Sequence, residues 1–172
     1  MVEDGSIEER LFELAAGTVT ALGFALVDVR ELAPGGRRVF RFTIDGAEGV
    51  NIADCEAVSR ELGYLLDAES DLDQNYVLEV SSPGLDHRLR KQREYEHFVG
   101  RAARLVRRDV SGQDAVVRGT ILGAEDGVVR LRDNEGVEIE IALSDIARGR
   151  LSIENLDSED GGPRAEPDTE EE

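Results

Sequence analysis

A strand that breaks on a proline–glycine pair divides this sequence in two. Tyr76, Leu78 and Val80 alternate with Val77 and Glu79, and Ser81-Ser82-Pro83-Gly84-Leu85-Asp86 follows. Proline fixes its φ near the value needed at the second position of a turn, and glycine takes positive φ at the third. Residues 82–85 are therefore expected to form a type II turn, with the Ser81 and Ser82 hydroxyls capping its backbone groups. Periodicity and charge both change at this point, so the chain is expected to fold as separate modules on either side.

Upstream, Ser6 and Glu9 have the spacing of a capping box. Ile7, Leu11, Leu14, Thr18 and Leu22 recur at helical spacing, and Gly23 stands where a helix C-terminus takes glycine. The opposite face, with Glu8, Glu9, Arg10 and Glu13, is expected to be solvated. Residues 24–32 form a strand with little alternation, expected to be covered on both faces. A turn at Pro34-Gly35-Gly36 leads to a second strand, where Phe40, Phe42 and Ile44 alternate with Val39, Arg41 and Thr43. Asn51 caps a second helix with Ile52, Cys55, Val58, Leu62 and Leu65 as its apolar stripe. An acidic connector, 67–75, leads to the Tyr76 strand. The order α-β-β-α-β predicts two helices on one face of a three-stranded sheet, with a crossover between the second and third strands.

Downstream, residues 91–99 suit a short helix with Tyr95, Phe98 and Val99 on its apolar side. Short alternating segments then follow at 102–108, 116–122, 128–132, 137–143 and 150–153, separated by turn signals that include Asp126-Gly127. Five such strands in so short a span predict a small closed barrel of the SH3-like kind. Beyond residue 153 there is almost nothing apolar, and an acidic disordered tail is expected. The division is thus 1–90, an α/β domain; 91–153, the barrel; and 154–172, the tail. The class is α+β.

Charge bounds the partners. The net charge is −18, with −11 over residues 1–80, +1 over 81–153 and −8 over 154–172. So acidic a chain suits a basic protein partner better than naked nucleic acid. One local exception stands out. Arg88, Arg90, Lys91, Arg93, Arg101, Arg104, Arg107 and Arg108 fall within 21 residues. Arginine can grip phosphate with two parallel hydrogen bonds, so the run is a candidate RNA-contacting strip. It could equally pair with the acidic first module, and the sequence leaves both readings open. The terminus Met1-Val2-Glu3-Asp4-Gly5 lacks the basic and apolar regions of a signal peptide. No apolar run has membrane-spanning length, and Cys55 is the only cysteine. A cytoplasmic protein without an internal disulfide is expected.

Little points to catalysis. Asp86 and His87 adjoin Ser81 and Ser82, but chain neighbours rarely aim at each other, and no nucleophile-elbow motif is present. Cys55 reads as a buried structural thiol. His87 and His97 lack metal-ligand spacing. Asp67, Glu69, Asp71 and Asp73 lack the glycine and glutamate of a calcium loop. Gly35-Gly36 precedes no helix that could cradle phosphate. No catalytic residue, cofactor or metal is assigned.

Leu78-Glu79-Val80-Ser81-Ser82-Pro83-Gly84-Leu85-Asp86 resembles the signature of the bacterial ribosome maturation factor RimP family. Asp54-Cys55-Glu56-Ala57-Val58-Ser59-Arg60, Leu65-Leu66-Asp67, Phe98-Val99-Gly100-Arg101 and Gly119-Thr120-Ile121-Leu122-Gly123 are similar to further segments of it. The likeness extends over about residues 6–153. After the aspartate that family usually continues with arginine and proline, where His87 and Arg88 stand here. The resemblance implies a non-enzymatic assembly factor for the small (30S) ribosomal subunit; a monomer is expected. It implies binding to immature subunits, with the barrel touching a basic ribosomal protein near the decoding region; contact of the arginine strip with 16S pre-rRNA would fit beside it. A generic acidic protein-interaction adaptor is the rival expectation.

Overall fold

The computed structural model describes residues 6–69, 72, 75–108 and 112–152, so the expected acidic tail lies outside the described residues. The elements run α1 (Ile7–Ala21), β1 (Ala25–Leu32), β2 (Arg38–Asp45), α2 (Ile52–Asp67), β3 (Tyr76–Ser81), β4 (Arg88–Leu89), α3 (Gln92–His97), β5 (Ala102–Arg108), β6 (Asp114–Glu125), β7 (Val128–Arg132), β8 (Glu138–Ala142) and β9 (Ile146–Leu151). The first five reproduce the expected α-β-β-α-β order.

The helix ends follow from local chemistry. Ser6 Oγ accepts from Glu9 N at 3.4 Å, and Gly23 takes a φ of 89° just past the end of α1. Asn51 and Asp54 form a reciprocal capping box, each side chain accepting from the other's backbone N–H. The buried stripes are Leu11, Ala15 and Val19 on α1 and Val58, Leu62 and Leu66 on α2. Both differ slightly from expectation. Leu22 is exposed, and Ile52 is 80% exposed although it was placed on the apolar stripe. Ile52 is the first residue of α2, where the helix has not yet closed onto the sheet.

The first sheet has the order β1-β2-β3, with β1–β2 antiparallel and β2–β3 parallel. β3 is therefore an edge strand. The two helices bury Val29, Phe40, Phe42 and Ile44 on one face. Leu72, in the acidic connector, is buried in this core.

The second sheet is antiparallel throughout, in the order β4-β9-β5-β6-β7-β8. Leu105, Ile121, Val129, Leu131 and Ile141 pack on its inner side with Tyr95 and Phe98. Asp126 and Gly127 both take positive φ, as the tight hairpin predicted there requires. Among the described residues no pairing joins β8 to β4, so the expected closed barrel is not found. The sheet has six strands rather than five, because Arg88–Leu89 pairs with β9. That strand lies upstream of the division expected at residue 90. The last strand ends at Leu151, and Ile153 is outside the described residues.

The turn after β3 is corrected. His87 N donates to Gly84 O at 3.1 Å, so the turn spans residues 84–87 rather than 82–85. Gly84 does not take positive φ, and among the described residues neither the Ser81 nor the Ser82 hydroxyl makes a hydrogen bond. The chain here must deliver Arg88 and Leu89 to β9, and that pairing sets the bend.

One irregularity joins the modules. Leu26 pairs with Ile44, but Asp28 pairs with Thr43, so Val27 is an extra residue bulged out of β1. A bulge re-aims side chains. Val27 belongs to the core of the second module, and Asp28 is 1% exposed beneath it. β1 is thus covered on both faces: the helices take one, the second module the other.

Candidate nucleic-acid and partner interface

The basic run separates into two groups. Lys91 and Arg93, at the start of α3, turn toward the first module. Lys91 Nζ lies 2.6 Å from Glu9 Oε1 and 3.5 Å from Glu8 Oε2. Arg93 Nη1 donates to Glu9 Oε2 at 2.6 Å, and its guanidinium stacks 3.8 Å from the centre of the Phe12 ring. Asp28 completes the seam: Arg30 Nε donates to its Oδ2 at 2.7 Å, with Arg93 Nη2 and Lys91 Nζ 3.6 and 3.9 Å from Oδ1. Burial opposes ionisation of Glu9, but hydrogen bonds from Arg93 and Lys91, with their charges, hold its carboxyl below the usual range. The face of α1 that was expected to be only solvated is therefore the docking face for two of the eight bases. The periodicity of α1 identifies that face but does not reveal what covers it.

Arg88, Arg90, Arg101, Arg104, Arg107 and Arg108 remain exposed, and none makes an ion pair among the described residues. They do not share one surface. Leu105 and Arg107 have the same parity on β5, whereas Arg104 lies on the opposite, outer side. Strand register also brings in Arg118 and Arg150, which lie outside the run. Arg88 is opposite Arg150, Arg150 opposite Arg104, and Arg104 opposite Arg118.

Buried polar groups near the break serve the fold. Glu94 is fully buried and accepts from Arg90 N at 3.1 Å and Lys91 N at 3.0 Å, with His87 Nε2 2.8 Å away. This carboxylate ties the segment entering α3 into place. His87 thus faces Glu94, while its neighbour Asp86 accepts from Arg150 Nη1 at 3.2 Å. Asp86 and His87 do not meet, and neither bonds to Ser81 or Ser82.

An open groove between the start of α2 and the end of β3 is lined by Val50, Ile52, Cys55, Val80, Ser81 and Ser82, among others. Burial, then the adjacent Asp54 charge, pushes the Cys55 thiol up, which keeps it protonated. Among the described residues, no group of three or more His, Cys, Asp or Glu side chains could hold a metal ion. No described helix is long and apolar enough to cross a membrane.

Residues 14–86 match the family model of the RimP N-terminal domain. The matched segment begins within α1 and ends at Asp86, just before the chain enters the second sheet. The match takes in the Ser81-Ser82-Pro83-Gly84 segment from which the resemblance to that family is read.

Proposed function

We propose that this protein is a cytoplasmic, monomeric maturation factor that binds immature small ribosomal subunits and transforms no substrate. The observation that carries the reading is the RimP N-terminal domain at residues 14–86. In this reading the chain divides into an α/β unit, residues 1–90; a unit related to SH3-like barrels, residues 91–153; and an acidic tail. The net charge of −11 over residues 1–80 suits a basic ribosomal protein. The exposed arginines suit 16S pre-rRNA. The factor would hold a local arrangement of protein and RNA, then leave as its affinity for the maturing particle falls.

Co-sedimentation tests this with purified precursor and mature small subunits. The protein is expected to pellet with precursors at concentrations where mature particles leave it in solution. Equal binding to both would count against a maturation role. The tail's net charge of −8 gives the adaptor reading its own support. Deleting residues 154–172 separates the two: precursor binding should persist in the shortened chain, and its complete loss would favour the adaptor.

A further inference from the structure

The outer face of the second sheet is unevenly charged, and strand register makes this visible. At β7–β8 the charges follow the usual rule. Arg130 is opposite Glu140 and Arg132 opposite Glu138, with Arg132 Nη2 donating to Glu138 Oε1 at 3.0 Å. Opposite charges facing each other across strands stabilise a sheet, and like charges oppose it. Across β4, β9, β5 and β6 the rule is broken: Arg88, Arg150, Arg104 and Arg118 stand side by side, one per strand. All four are exposed. Asp86, on Arg150, is the only acid paired with any of them among the described residues. At the spacing of paired strands the row spans ~14 Å.

We infer that this row is a phosphate-binding site for the backbone of double-helical RNA. The inference rests on the proposed ribosomal role and deepens it. Four guanidinium groups held in line by a rigid sheet present forked donors to successive anionic oxygens. A polyanion supplies the countercharge that the sheet omits. The choice of a duplex follows from what the surface lacks. Unstacked single strands are gripped by aromatic platforms beside the charges. Here Tyr95 and Phe98 are buried, and among the described residues no aromatic side chain lies on this face. Shape and phosphate contacts without base stacking are how double-helical RNA is bound.

The test uses the full-length chain, a duplex RNA oligonucleotide and a single strand of the same length, titrated over a series of salt concentrations. The wild type is expected to prefer the duplex, with affinity falling on a log–log salt plot at a slope of about −3 to −4. Arg104→Gln with Arg118→Gln should remove about 2 from that slope and weaken duplex binding at least tenfold. Arg37→Gln with Arg60→Gln removes the same charge from exposed positions on the first module and should leave the slope nearly unchanged. The row variant should unfold no earlier than wild type, because it relieves like-charge opposition. Equal losses in the two double variants would reduce the effect to bulk charge and overturn the row. Preference for the single strand, or binding of a polyglutamate peptide as tight as that of the duplex, would overturn the assignment to RNA. The precursor assay keeps the two proposals apart. Precursor binding by wild type, with an unchanged RNA slope in the row variant, sinks the row alone. Row-dependent duplex binding without any precursor binding sinks the ribosomal role alone.

Discussion

Gly149→Ala is expected to destabilise the second module by ~3 kcal/mol, at the upper end for overpacking a core. With the whole chain unfolding as one cooperative unit, that is a fall of roughly 6–12 °C in Tm. Gly149 sits mid-sheet on β9, opposite Leu89 on one side and Leu105 on the other. A Cβ added there would collide with the Tyr95 hydroxyl and lie 3.0 Å from Leu89 O and 3.2 Å from Leu105 Cδ2. None of these can retreat easily. Tyr95 is fully buried and its hydroxyl donates to Leu89 O at 3.4 Å, so it is held by the strand that pairs with Gly149. Burial, then the Glu94 charge, pushes the Tyr95 phenol far up, so the hydroxyl stays protonated at any ordinary pH.

The mechanism predicts its own rescue. Tyr95→Phe alone should cost ~1 kcal/mol, the worth of one long buried hydrogen bond. Combined with Gly149→Ala it removes the atom the new methyl strikes. The double variant should therefore be more stable than Gly149→Ala, though still below wild type, because the contacts to Leu89 O and Leu105 Cδ2 persist. A coupling of at least ~1 kcal/mol in a double-mutant cycle of denaturant midpoints is expected. Additive costs would show that the phenol hydroxyl does not decide the matter.

Legibility from sequence depended on whether a feature is local. Ser6, Asn51 and Gly23 act on backbone groups within four residues, and all three end helices where expected. Asp126-Gly127 encodes its hairpin because both residues tolerate positive φ. The alternation of Phe40, Phe42 and Ile44 shows which face of β2 is buried, whatever covers it. Gly84 fails as a local signal because the pull of β4 toward β9 outweighs the preference of a Pro-Gly pair for one turn type. The bulge at Val27 is invisible because it exists only relative to β2. The candidate site was half legible for the same reason. The cluster of arginines is plain in the sequence, but composition cannot tell Lys91 and Arg93, spent on the seam, from Arg104 on the open face. Nor can it bring Arg118 and Arg150 beside Arg104, since register across β9, β5 and β6 does that.

The largest loss is expected at the seam, where Asp28→Ala should cost ~3–5 kcal/mol, the range for removing one member of a buried ionic group. Asp28 is 1% exposed and is the shared anion of Arg30, Arg93 and Lys91. Without it, Arg30 loses its hydrogen bond, and Lys91 and Arg93 are left with the Glu8 and Glu9 carboxylates alone. Several polar atoms of this cluster, Arg93 Nε and Nη2 among them, already lack a hydrogen bond, so little is available to absorb a bare charge. Wild type should unfold in a single transition by probes in either module. In Asp28→Ala the two modules should separate into distinct transitions, because the seam then rests on Val27 and on ion pairs of half-exposed groups, Lys91 and Arg93 with Glu9 and His97 with Asp45. Acid should loosen the same contact. Glu9 has its carboxyl held low by Arg93 and Lys91, so its contribution is complete above the ordinary glutamate value of 4.5 and disappears as pH falls through the lowered one. Glu9→Gln should flatten that acid limb without touching the neutral-pH behaviour of the arginine row. If Asp28→Ala unfolds as one unit within ~1 kcal/mol of wild type, apolar packing alone joins the modules, and the ion cluster only fills the space between them.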